Sequence, residues 1–371
     1  MKILEVTNVD FSLRHFLLPL MRGLRARGHE VVGVCADGKL LADVRAEGFR
    51  VEALPMARSL SPLAQLRAFR SLIRLIRAER PDIVHAHMPI SGVLARLAAR
   101  ICGVPIIAYT CHGFLFNQPG PVARRGVALL LELIAGRVTD RYFTVSDEEA
   151  ADARRLRIHP RAIGIGNGRP PGVFRPDPAA RASVRAALGV ADHRVVVIVV
   201  SRLVRHKGHP ELLAAMARVP DAELWVVGAR LSSDHGEALE AAFEAAERPD
   251  ALGSRLRRLG YRTDIAALLA AADIFALPSH FEGLPMSVIE AMLCGLPVVA
   301  SAIRGPREQV VQGVTGLLVP PRDVDGLAVA LATLCADASL RHRMGEAGRI
   351  RAVELYDEAR VVARTIGLLG A

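Results

Sequence analysis

The second half of the chain contains the stretch Phe281-Glu282-Gly283-Leu284-Pro285-Met286-Ser287-Val288-Ile289-Glu290-Ala291-Met292, in which two glutamates flank a Gly-Leu-Pro turn. Pro285 suits the first turn of a helix, because no N–H group is needed there, and the apolar residues after it have helical spacing. The start of such a helix presents free N–H groups that attract phosphates. We therefore expect Glu282 beside an anion site and Glu290 about two turns further on, on the same side of the helix.

Predicted strands and helices alternate on both sides of this stretch. In the second half of the chain, the predicted strands are Arg194–Ser201, Glu223–Val227, Asp273–Leu277 and Pro297–Ala300. In the first half, the predicted strands are Met1–Thr7, Glu30–Cys35, Asp82–Ala86, Pro105–Thr110 and Arg141–Val145, with helices at Phe16–Gly28 and Gly92–Cys102. Nearly continuous apolar strands that alternate with helices are typical of parallel sheets covered on both faces. The expected fold class is therefore α/β, built from doubly wound Rossmann-like sheets.

A segment rich in Gly and Pro separates the two halves of the chain. It runs from Gly164 to Pro178, and its composition predicts an irregular linker. A chain of 371 residues suits about two domains. We predict an N-terminal domain over residues 1–170 and a C-terminal domain over residues 171–353, facing each other across a cleft.

The excess of positive over negative charge is confined to the first half of the chain. Residues 1–180 hold 26 Lys and Arg against 16 Asp and Glu, whereas residues 181–371 hold 22 of each sign. This asymmetry favours an anionic partner for the first half. Within Ser61–Arg80, four arginines at helical spacing oppose an apolar side that includes Leu66 and Phe69. The segment predicts either an ordinary surface helix or one that also contacts an anionic membrane surface.

The cysteines and the hydropathy favour a cytoplasmic protein. Five cysteines are scattered without a C-x-x-C pair, which argues against a disulfide framework or a structural zinc site. The first residues enter a strand directly, so we expect no signal peptide. The apolar stretch Gly126–Ile134 contains Glu132 and is too short to span a bilayer. Any membrane association is therefore expected to be peripheral, on the inner face of the plasma membrane.

Four motifs in series resemble those of retaining GT-B glycosyltransferases of family 4. The Phe281–Met292 stretch resembles their paired-glutamate motif, and Ser201-Arg202-Leu203-Val204-Arg205-His206-Lys207-Gly208 resembles their diphosphate clamp. Gly295–Ser301 and Gly313–Val319 resemble the landmarks that follow. The order and spacing match over essentially the whole chain. The loop Asn8-Val9-Asp10-Phe11-Ser12 replaces a glycine pair of many relatives, and is similar to members that act in surface polysaccharide synthesis.

The resemblance assigns donor-binding and catalytic roles in the second half. Arg202 and Lys207 follow a buried strand and would neutralise the diphosphate, although two solvated loop cations would show the same pattern. Glu290 would bind ribose hydroxyls and Glu282 sugar hydroxyls, because an ionised carboxylate only accepts hydrogen bonds. Two exposed helix acids are the alternative. The backbone N–H groups of Gly283 and Leu284 would assist in binding phosphate.

The loop Leu259–Asp264 resembles the family's segment near the nucleobase. Tyr261 would stack on the base, and Arg262 would reach the base or the acceptor. Asp264 is interpreted either as part of that loop or as a helix N-cap.

Acceptor-side residues are expected in the first half. His112-Gly113-Phe114 follows a predicted strand and resembles the family's catalytic histidine loop, the alternative being a histidine bonded to local backbone. Asn8 and Asp10 belong to the expected acceptor site. His85 and His87 form a second strand-end pair, interpreted as structural or acceptor-side because a third metal ligand is not evident. In the family the last helix crosses back to the N-terminal domain, and residues 354–371 are expected to do so.

We expect neither a metal nor another obligatory cofactor. Asp323-Val324-Asp325 imitates a D-x-D metal motif, but it follows two prolines and precedes a helix, so N-capping explains it better. A phosphorylase with pyridoxal phosphate would need a suitable lysine, and Lys2, Lys39 and Lys207 lack that context.

The sequence thus favours a retaining transferase that uses a nucleotide diphosphate sugar, UDP-sugar above all. The expected acceptor is a glycan or a polyprenyl-diphosphate-linked sugar, in cell-surface polysaccharide synthesis. Two alternatives remain open at this point. One is an epimerase or hydrolase of the same fold, and the other is a non-enzymatic basic docking protein. Few aromatic residues are available for stacking, so nucleic acid is not an expected partner.

Overall fold

A computed structural model describes residues 1–56, 61–230 and 239–371, and the chain divides into two compact units. The first unit comprises Met1–Asn167 and Glu358–Ala371, and the second comprises Gly168–Asp357. The C-terminal helix belongs to the first unit but begins at Glu358, later than the expected residue 354. The preceding helix extends to Leu355, and a short bridge between Arg169 and Asp357 then ends the second unit.

The first unit contains a seven-stranded parallel sheet in the order β3-β2-β1-β4-β5-β6-β7. Its strands are β1 Lys2–Val6, β2 Glu30–Cys35, β3 Arg50–Ala53, β4 Ile83–His87, β5 Ile106–Cys111, β6 Arg141–Thr144 and β7 Ile163–Gly164. Its helices are α1 Asp10–Ser12, α2 Leu18–Ala26, α3 Leu41–Ala46, α4 Pro62–Glu79, α5 Pro89–Ile101, α6 Val122–Gly136, α7 Asp147–Arg155 and α16 Glu358–Leu369. A π-helical turn joins α1 to α2.

Helices cover both faces of this sheet, and alternate residues of its strands lie in two separate apolar cores, one on each face. Leu4 and Val6 of β1 lie in the core beneath α4, α5 and α6, whereas Ile3 lies in the core beneath α2 and α16. This arrangement confirms the doubly wound reading of the apolar strands.

The second unit contains a six-stranded parallel sheet in the order β10-β9-β8-β11-β12-β13. Its strands are β8 Val195–Val200, β9 Ala222–Val227, β10 Leu256–Gly260, β11 Ile274–Leu277, β12 Val298–Ser301 and β13 Gly316–Val319. Its helices are α8 Pro178–Leu188, α9 His209–Met216, α10 Glu240–Glu247, α11 Ile265–Ala271, α12 Met286–Leu293, α13 Pro306–Gln309, α14 Val324–Ala336 and α15 Ala338–Leu355. None of the helices in the described residues combines the length and apolarity needed to cross a membrane.

Each sheet reverses its strand order next to its first strand, between β1 and β4 in one unit and between β8 and β11 in the other. Ligands of open parallel sheets bind beyond the carboxyl ends of the strands at such reversal points. The loops that follow β1, β4, β8 and β11 are therefore the places where a site is expected.

Differences from the sequence prediction are local. The predicted strands end within two residues of the observed ones, but β3, β7, β10 and β13 were not predicted. Gly164 was assigned to the linker, whereas it pairs within β7 against β6. Leu66 was expected on the buried side of α4 but is 43% exposed. The residues of α4 that are fully buried are Ala68, Leu72 and Ile76.

Candidate active site

Two glycines hold the loops of the second unit together at its reversal point. Gly208, in the loop after β8, has φ of +77°, and a Cβ atom there would lie 2.0 Å from the carbonyl oxygen of Pro278 after β11. Gly305, after β12, has φ of +81°, and a Cβ atom there would lie 1.9 Å from the carbonyl oxygen of Gly283. Both positions require glycine, because a side chain would push neighbouring backbones apart. Three loops from separate strands therefore converge on one place.

Lys207 and Glu282 meet at this place. Lys207 Nζ lies 2.6 Å from Glu282 Oε1, and the hydroxyl of Ser279 donates to the same oxygen at 2.6 Å. Glu282 is 8% exposed, so its carboxylate is held by a cation and a hydroxyl within a mostly buried setting. Glu282 lies in the loop before α12, the helix that begins at Met286 and carries Glu290.

Arg202 lies in the same loop as Lys207 and is exposed. The backbone of this loop is held by His209, whose Nε2 donates to the carbonyl oxygen of Arg202 at 3.1 Å and lies 3.1 Å from the hydroxyl of Ser201. Burial lowers the pKa of His209 to about 4, although the carbonyl of Arg202 acts in the opposite direction. A neutral, buried histidine thus fixes the backbone from which Arg202 projects. The sequence analysis did not single out His209.

Glu290 lies on α12 and pairs with a residue that sequence reasoning missed. Arg169 Nε donates to Glu290 Oε1 at 2.7 Å, and Glu290 is 8% exposed. Burial raises the pKa of Glu290, and Arg169 opposes that rise. Arg169 lies in the segment that was assigned to the linker. The only indication of a specific role in the sequence was its position between a glycine and two prolines. The two glutamates thus have different partners, Lys207 for Glu282 and Arg169 for Glu290.

The remaining donor-side residues lie in two loops. Gly283 and Leu284 come directly before Pro285, which occupies the N-cap position of α12. Tyr261 follows β10 and is 62% exposed. Arg262 pairs with Asp264, with Arg262 Nε 2.7 Å from Asp264 Oδ1. Asp264 does occupy the N-cap position of α11, but its carboxylate makes no capping hydrogen bond, because the carboxylate pairs with Arg262 instead.

Asp323 is an N-cap, as the sequence predicted for the imitated D-x-D motif. Its Oδ1 accepts the N–H of Gly326 at 2.8 Å at the start of α14. Asp325 pairs with Arg218 on the protein surface.

A buried hydrogen-bond chain occupies the reversal point of the first unit. Glu5 on β1 accepts from His85 Nδ1 at 3.1 Å and from His87 Nε2 at 2.8 Å. His87 Nδ1 lies 3.2 Å from His112 Nε2, at the end of β5. His85 Nε2 lies 2.8 Å from the hydroxyl of Thr110. The register explains this assembly, because Glu5 pairs with His85 across β1 and β4, and His87 pairs with Thr110 across β4 and β5.

The protonation states along this chain follow from burial and charge. Burial alone would raise the pKa of Glu5, but the adjacent His85 and His87 outweigh it and hold that pKa at about 2. Burial, with His85 nearby, lowers the pKa of His87 to about 4. A neutral His87 that donates from Nε2 has an unprotonated Nδ1, so His112 Nε2 is the donor in the next bond. Burial also lowers the pKa of His112 well below 6.5. His112 therefore keeps an unprotonated Nδ1, which is able to accept a hydrogen bond.

Glu5, His85 and His87 are also the group of described residues whose ligand atoms lie close enough, within 4.8 Å of one another, to hold a metal ion. Glu5 is the third member that the sequence analysis did not identify, and its signal was an acid within an otherwise apolar first strand. Each ring nitrogen of His85 and His87 already has a hydrogen-bond partner. The donor set therefore fits a hydrogen-bond chain that ends at His112.

The other acceptor-side residues lie around His112. Asn8 Oδ1 is buried and has no hydrogen-bond partner among the described residues, which leaves it available to a ligand. Asp10 differs, since its carboxylate accepts the N–H groups of Phe11 and Leu40 at 2.8 and 3.1 Å and thereby braces the loop after β1. Gly113 and Phe114 are buried, and the N–H of Phe114 donates to Glu149 Oε1 at 3.0 Å.

Known proteins resemble both units of this chain. The family described as "Glycosyl transferase 4-like domain" matches residues 13–168, and "Glycosyl transferases group 1" matches residues 181–351. The UDP-Gal:alpha-D-GlcNAc-diphosphoundecaprenol alpha-1,3-galactosyltransferase of Escherichia coli is 30% identical over 317 residues, which cover 83% of this chain and 80% of that protein. The putative glycosyltransferase EpsD of Bacillus subtilis is 28% identical over 382 aligned positions, which cover 100% of this chain and 96% of that protein.

A solved structure shows the same fold. Anabaena HepE, in complex with UDP and glucose, matches with a TM-score of 0.86 and 24% identity, covering 100% of both chains. The predicted fold of two Rossmann-like domains and the predicted enzyme class are thus confirmed. From its two family matches and its relatives, this chain belongs to the GT-B glycosyltransferases of family 4.

Proposed function

We propose that this enzyme transfers a hexose or N-acetylhexosamine from a UDP-sugar, with retention of configuration, to a sugar linked to a polyprenyl diphosphate. The product would serve the synthesis of cell-surface polysaccharide. The Escherichia coli relative is named for a UDP-galactose donor and a diphosphoundecaprenol-linked acceptor. The net charge of +10 lies within residues 1–180, which suits a diphosphate-linked acceptor on the first unit.

The observation that carries the proposal is the Lys207–Glu282 pair at the reversal point of the second sheet. Lys207 and Arg202 supply positive charge beyond the end of β8, where a diphosphate of a bound nucleotide sugar is expected. Glu282, held by Ser279 and Lys207, supplies an acceptor for sugar hydroxyls. A bound diphosphate would share Lys207 with Glu282, so that charge growing on the leaving group is met by a cation already in place.

The proposed reaction needs no protein nucleophile. The bond between the anomeric carbon and the diphosphate oxygen breaks, and the acceptor oxygen bonds to the same face of that carbon. The acceptor's hydroxyl proton passes to the departing phosphate oxygen. Lys207, Arg202 and the N-terminus of α12 stabilise the diphosphate as it leaves, and Glu290 with Arg169 would hold the ribose.

We expect His112 to act on the acceptor. Its unprotonated Nδ1 would accept a hydrogen bond from a hydroxyl of an acceptor bound to the first unit. Because burial lowers the pKa of His112 well below 6.5, it would act as an orienting acceptor at neutral pH and not as an acid.

The positive charge around the diphosphate supports transfer without an obligatory divalent cation. We expect the transfer rate to be the same within about two-fold in EDTA and in magnesium, since Arg202 and Lys207 supply charge that a metal would otherwise provide. Loss of activity in EDTA, restored by magnesium, would contradict this part of the proposal.

A donor and acceptor panel tests the proposed function. The enzyme is incubated with UDP-, GDP- and ADP-linked hexoses carrying a radioactive label, together with a GlcNAc-diphosphate-polyprenol. The expected result is label extracted with the lipid, from a UDP-sugar. Release of UDP with no lipid-linked product would favour a hydrolase or an epimerase, and transfer only from a GDP- or ADP-sugar would overturn the choice of base.

A further inference from the structure

Helix α6 is apolar on two opposite sides, and only one of them is buried. Ala128, Leu129 and Leu133 pack against the core beneath α5. The opposite side, which we name the outer face of α6, is formed by four exposed residues: Val127 (57% exposed), Leu130 (56%), Leu131 (42%) and Ile134 (44%). A surface helix normally places polar residues there, and contiguous apolar exposure of this kind marks an interaction site.

The inner side of α6 is anchored firmly, so the outer face is fixed in its orientation. Glu132, the acidic residue within 122–136, is buried and accepts from Arg96 Nη2 at 2.9 Å and from the hydroxyls of Tyr109 and Tyr142 at 3.2 and 3.1 Å. Arg96 also stacks on Tyr109, with its guanidinium carbon 3.7 Å from the ring centre. Breaking these buried contacts to bury the outer face instead would leave Glu132 unpaired at high cost.

The charges around the outer face are basic. Arg124 on α6 and Arg137, the C-cap of α6, are exposed, and no carboxylate of α6 joins them at the surface. Helix α4 presents four exposed arginines: Arg67, Arg70, Arg74 and Arg77. Because α4 and α6 both pack against α5 over one core, these arginines lie on the same helical layer. An apolar strip with basic surroundings is typical of helices that lie in the interface of an anionic bilayer.

We propose that the outer face of α6 binds the surface of an anionic lipid bilayer, with Leu130, Leu131 and Ile134 entering the acyl boundary and the arginines contacting lipid headgroups. A bilayer fits better than a second copy of the chain. A symmetric contact through this face would bring the arginines of both copies together, and like charges oppose association.

The position of α6 relates this binding to the acceptor site. Val122 comes ten residues after His112, and α6 packs against the 3-10 turn Leu115–Asn117 that follows the His112 loop. If the acceptor is lipid-linked, as in the proposed function, binding through α6 holds His112 near the surface that carries the acceptor. The bilayer binding itself does not depend on that assignment.

Vesicle binding by the full chain tests the proposal. The protein is sedimented with vesicles of phosphatidylglycerol and phosphatidylethanolamine, and with vesicles of phosphatidylcholine. We expect binding to the anionic vesicles, reduced at least about ten-fold in the double variant Leu130→Asp with Ile134→Asp, since two large apolar side chains lose their burial. The matched control is Val329→Asp with Ile350→Asp, which alters residues 66% and 71% exposed on α14 and α15 of the second unit. This control should bind as the wild type does.

A fluorescence measurement reports insertion directly. Trp225 is fully buried and is the chain's only tryptophan, so Leu131→Trp adds a probe against a constant background. Its emission should shift to shorter wavelength with anionic vesicles. No shift, or equal vesicle binding by the wild type and the Leu130→Asp, Ile134→Asp variant, would overturn the proposal.

The other occupants of the face are distinguished by the same samples. A wild type that is dimeric, does not bind vesicles and becomes monomeric in the double variant would show that a second copy covers the face, which also overturns the proposal. Failure of the proposed function has a different signature. In that case vesicle binding depends on α6, but no donor gives a lipid-linked product.

Discussion

His87→Gln interrupts the chain that joins Glu5 to His112, and its effect on stability depends on pH. Burial lowers the pKa of His87 from 6.5 to about 4. Below pH 6.5 the unfolded chain therefore binds a proton that the folded chain does not, so the free energy of unfolding falls as the pH falls towards 4. Between pH 7 and pH 5, His87 accounts for a loss of about 2 kcal/mol. The glutamine variant should not show this part of the loss.

At neutral pH the same variant should be less stable than the wild type. His87 is 1% exposed, and its Nδ1 lies 3.2 Å from His112 Nε2. Glutamine can still donate to Glu5 from its amide but has no acceptor at the Nδ1 position, and leaving the N–H of His112 without its partner costs about 1–3 kcal/mol. The lowered pKa of Glu5, about 2, acts in a different window. Its stabilisation is present above pH 4.5 and is lost only as the pH falls from 4.5 towards 2.

Hydrogen exchange measured by mass spectrometry on the β1 and β4 peptides follows the first unit separately. After correction for the intrinsic rate, protection in the wild type should fall by about 2 kcal/mol more than in His87→Gln between pH 7 and pH 5. The matched control is His209→Gln in the second unit, where His209 also has a pKa of about 4. It should alter the pH dependence of the β8 and β9 peptides and leave β1 and β4 unchanged. Equal pH dependence of β1 and β4 in the wild type and His87→Gln would refute a buried, neutral His87.

Three further substitutions test the donor site. Lys207→Ala should lower kcat by about 10²–10³, because a charge aimed at the leaving group is lost. The control is Arg205→Ala, which removes a cation of the same loop that pairs with Glu211 and should keep kcat within about two-fold. Equal kcat values in both variants would contradict the role of Lys207 in binding the diphosphate. Gly208→Ala should destabilise the second unit by about 2–4 kcal/mol, because the alanine Cβ atom would lie 2.0 Å from a carbonyl oxygen. Urea unfolding followed by the fluorescence of the buried Trp225 measures the loss of stability, and an unchanged midpoint would contradict the close contact at Gly208. Arg169→Ala should raise KM for the donor about ten-fold with little change in kcat, because a buried Glu290 without its partner favours the protonated form and then binds the ribose less well. Steady-state kinetics measures both constants, and a fall in kcat alone would contradict this role.

The residues expected to bind the donor occur in short motifs, so the sequence could place them near one another. Lys207 and Glu282 each stand beside a glycine and a strand end, so strand-order rules alone place both at one edge of a sheet. Their direct 2.6 Å contact was not predictable, because it depends on how Gly208 packs against the loop after β11. Arg169 was missed for a similar reason, since a Gly- and Pro-rich context resembles a linker whatever its arginine binds.

Only part of the buried hydrogen-bond chain of the first unit could be predicted from the sequence. His85 and His87 stood out by their spacing, but Glu5 was hidden in an apolar strand, and only the register of β1 against β4 brings it to His85. Short strands such as β3 and β7 were also missed, because so few residues give no periodic signal. The arginines of α4 predicted either an ordinary surface helix or one that also contacts a membrane, whereas the exposed apolar face belongs to α6. Periodicity does not show which of two apolar sides is covered.

The configuration of the transferred sugar distinguishes a retaining from an inverting transfer. After incubation with an α-linked UDP-hexose and a GlcNAc-diphosphate-polyprenol, proton NMR of the isolated disaccharide gives the coupling constant of the new anomeric proton. We expect an α linkage, because the acceptor attacks from the face that the diphosphate leaves and Lys207 stabilises that departure. A β linkage would contradict the proposed mechanism, since inversion needs a general base on the opposite face of the sugar, and no residue has that role in the proposed reaction.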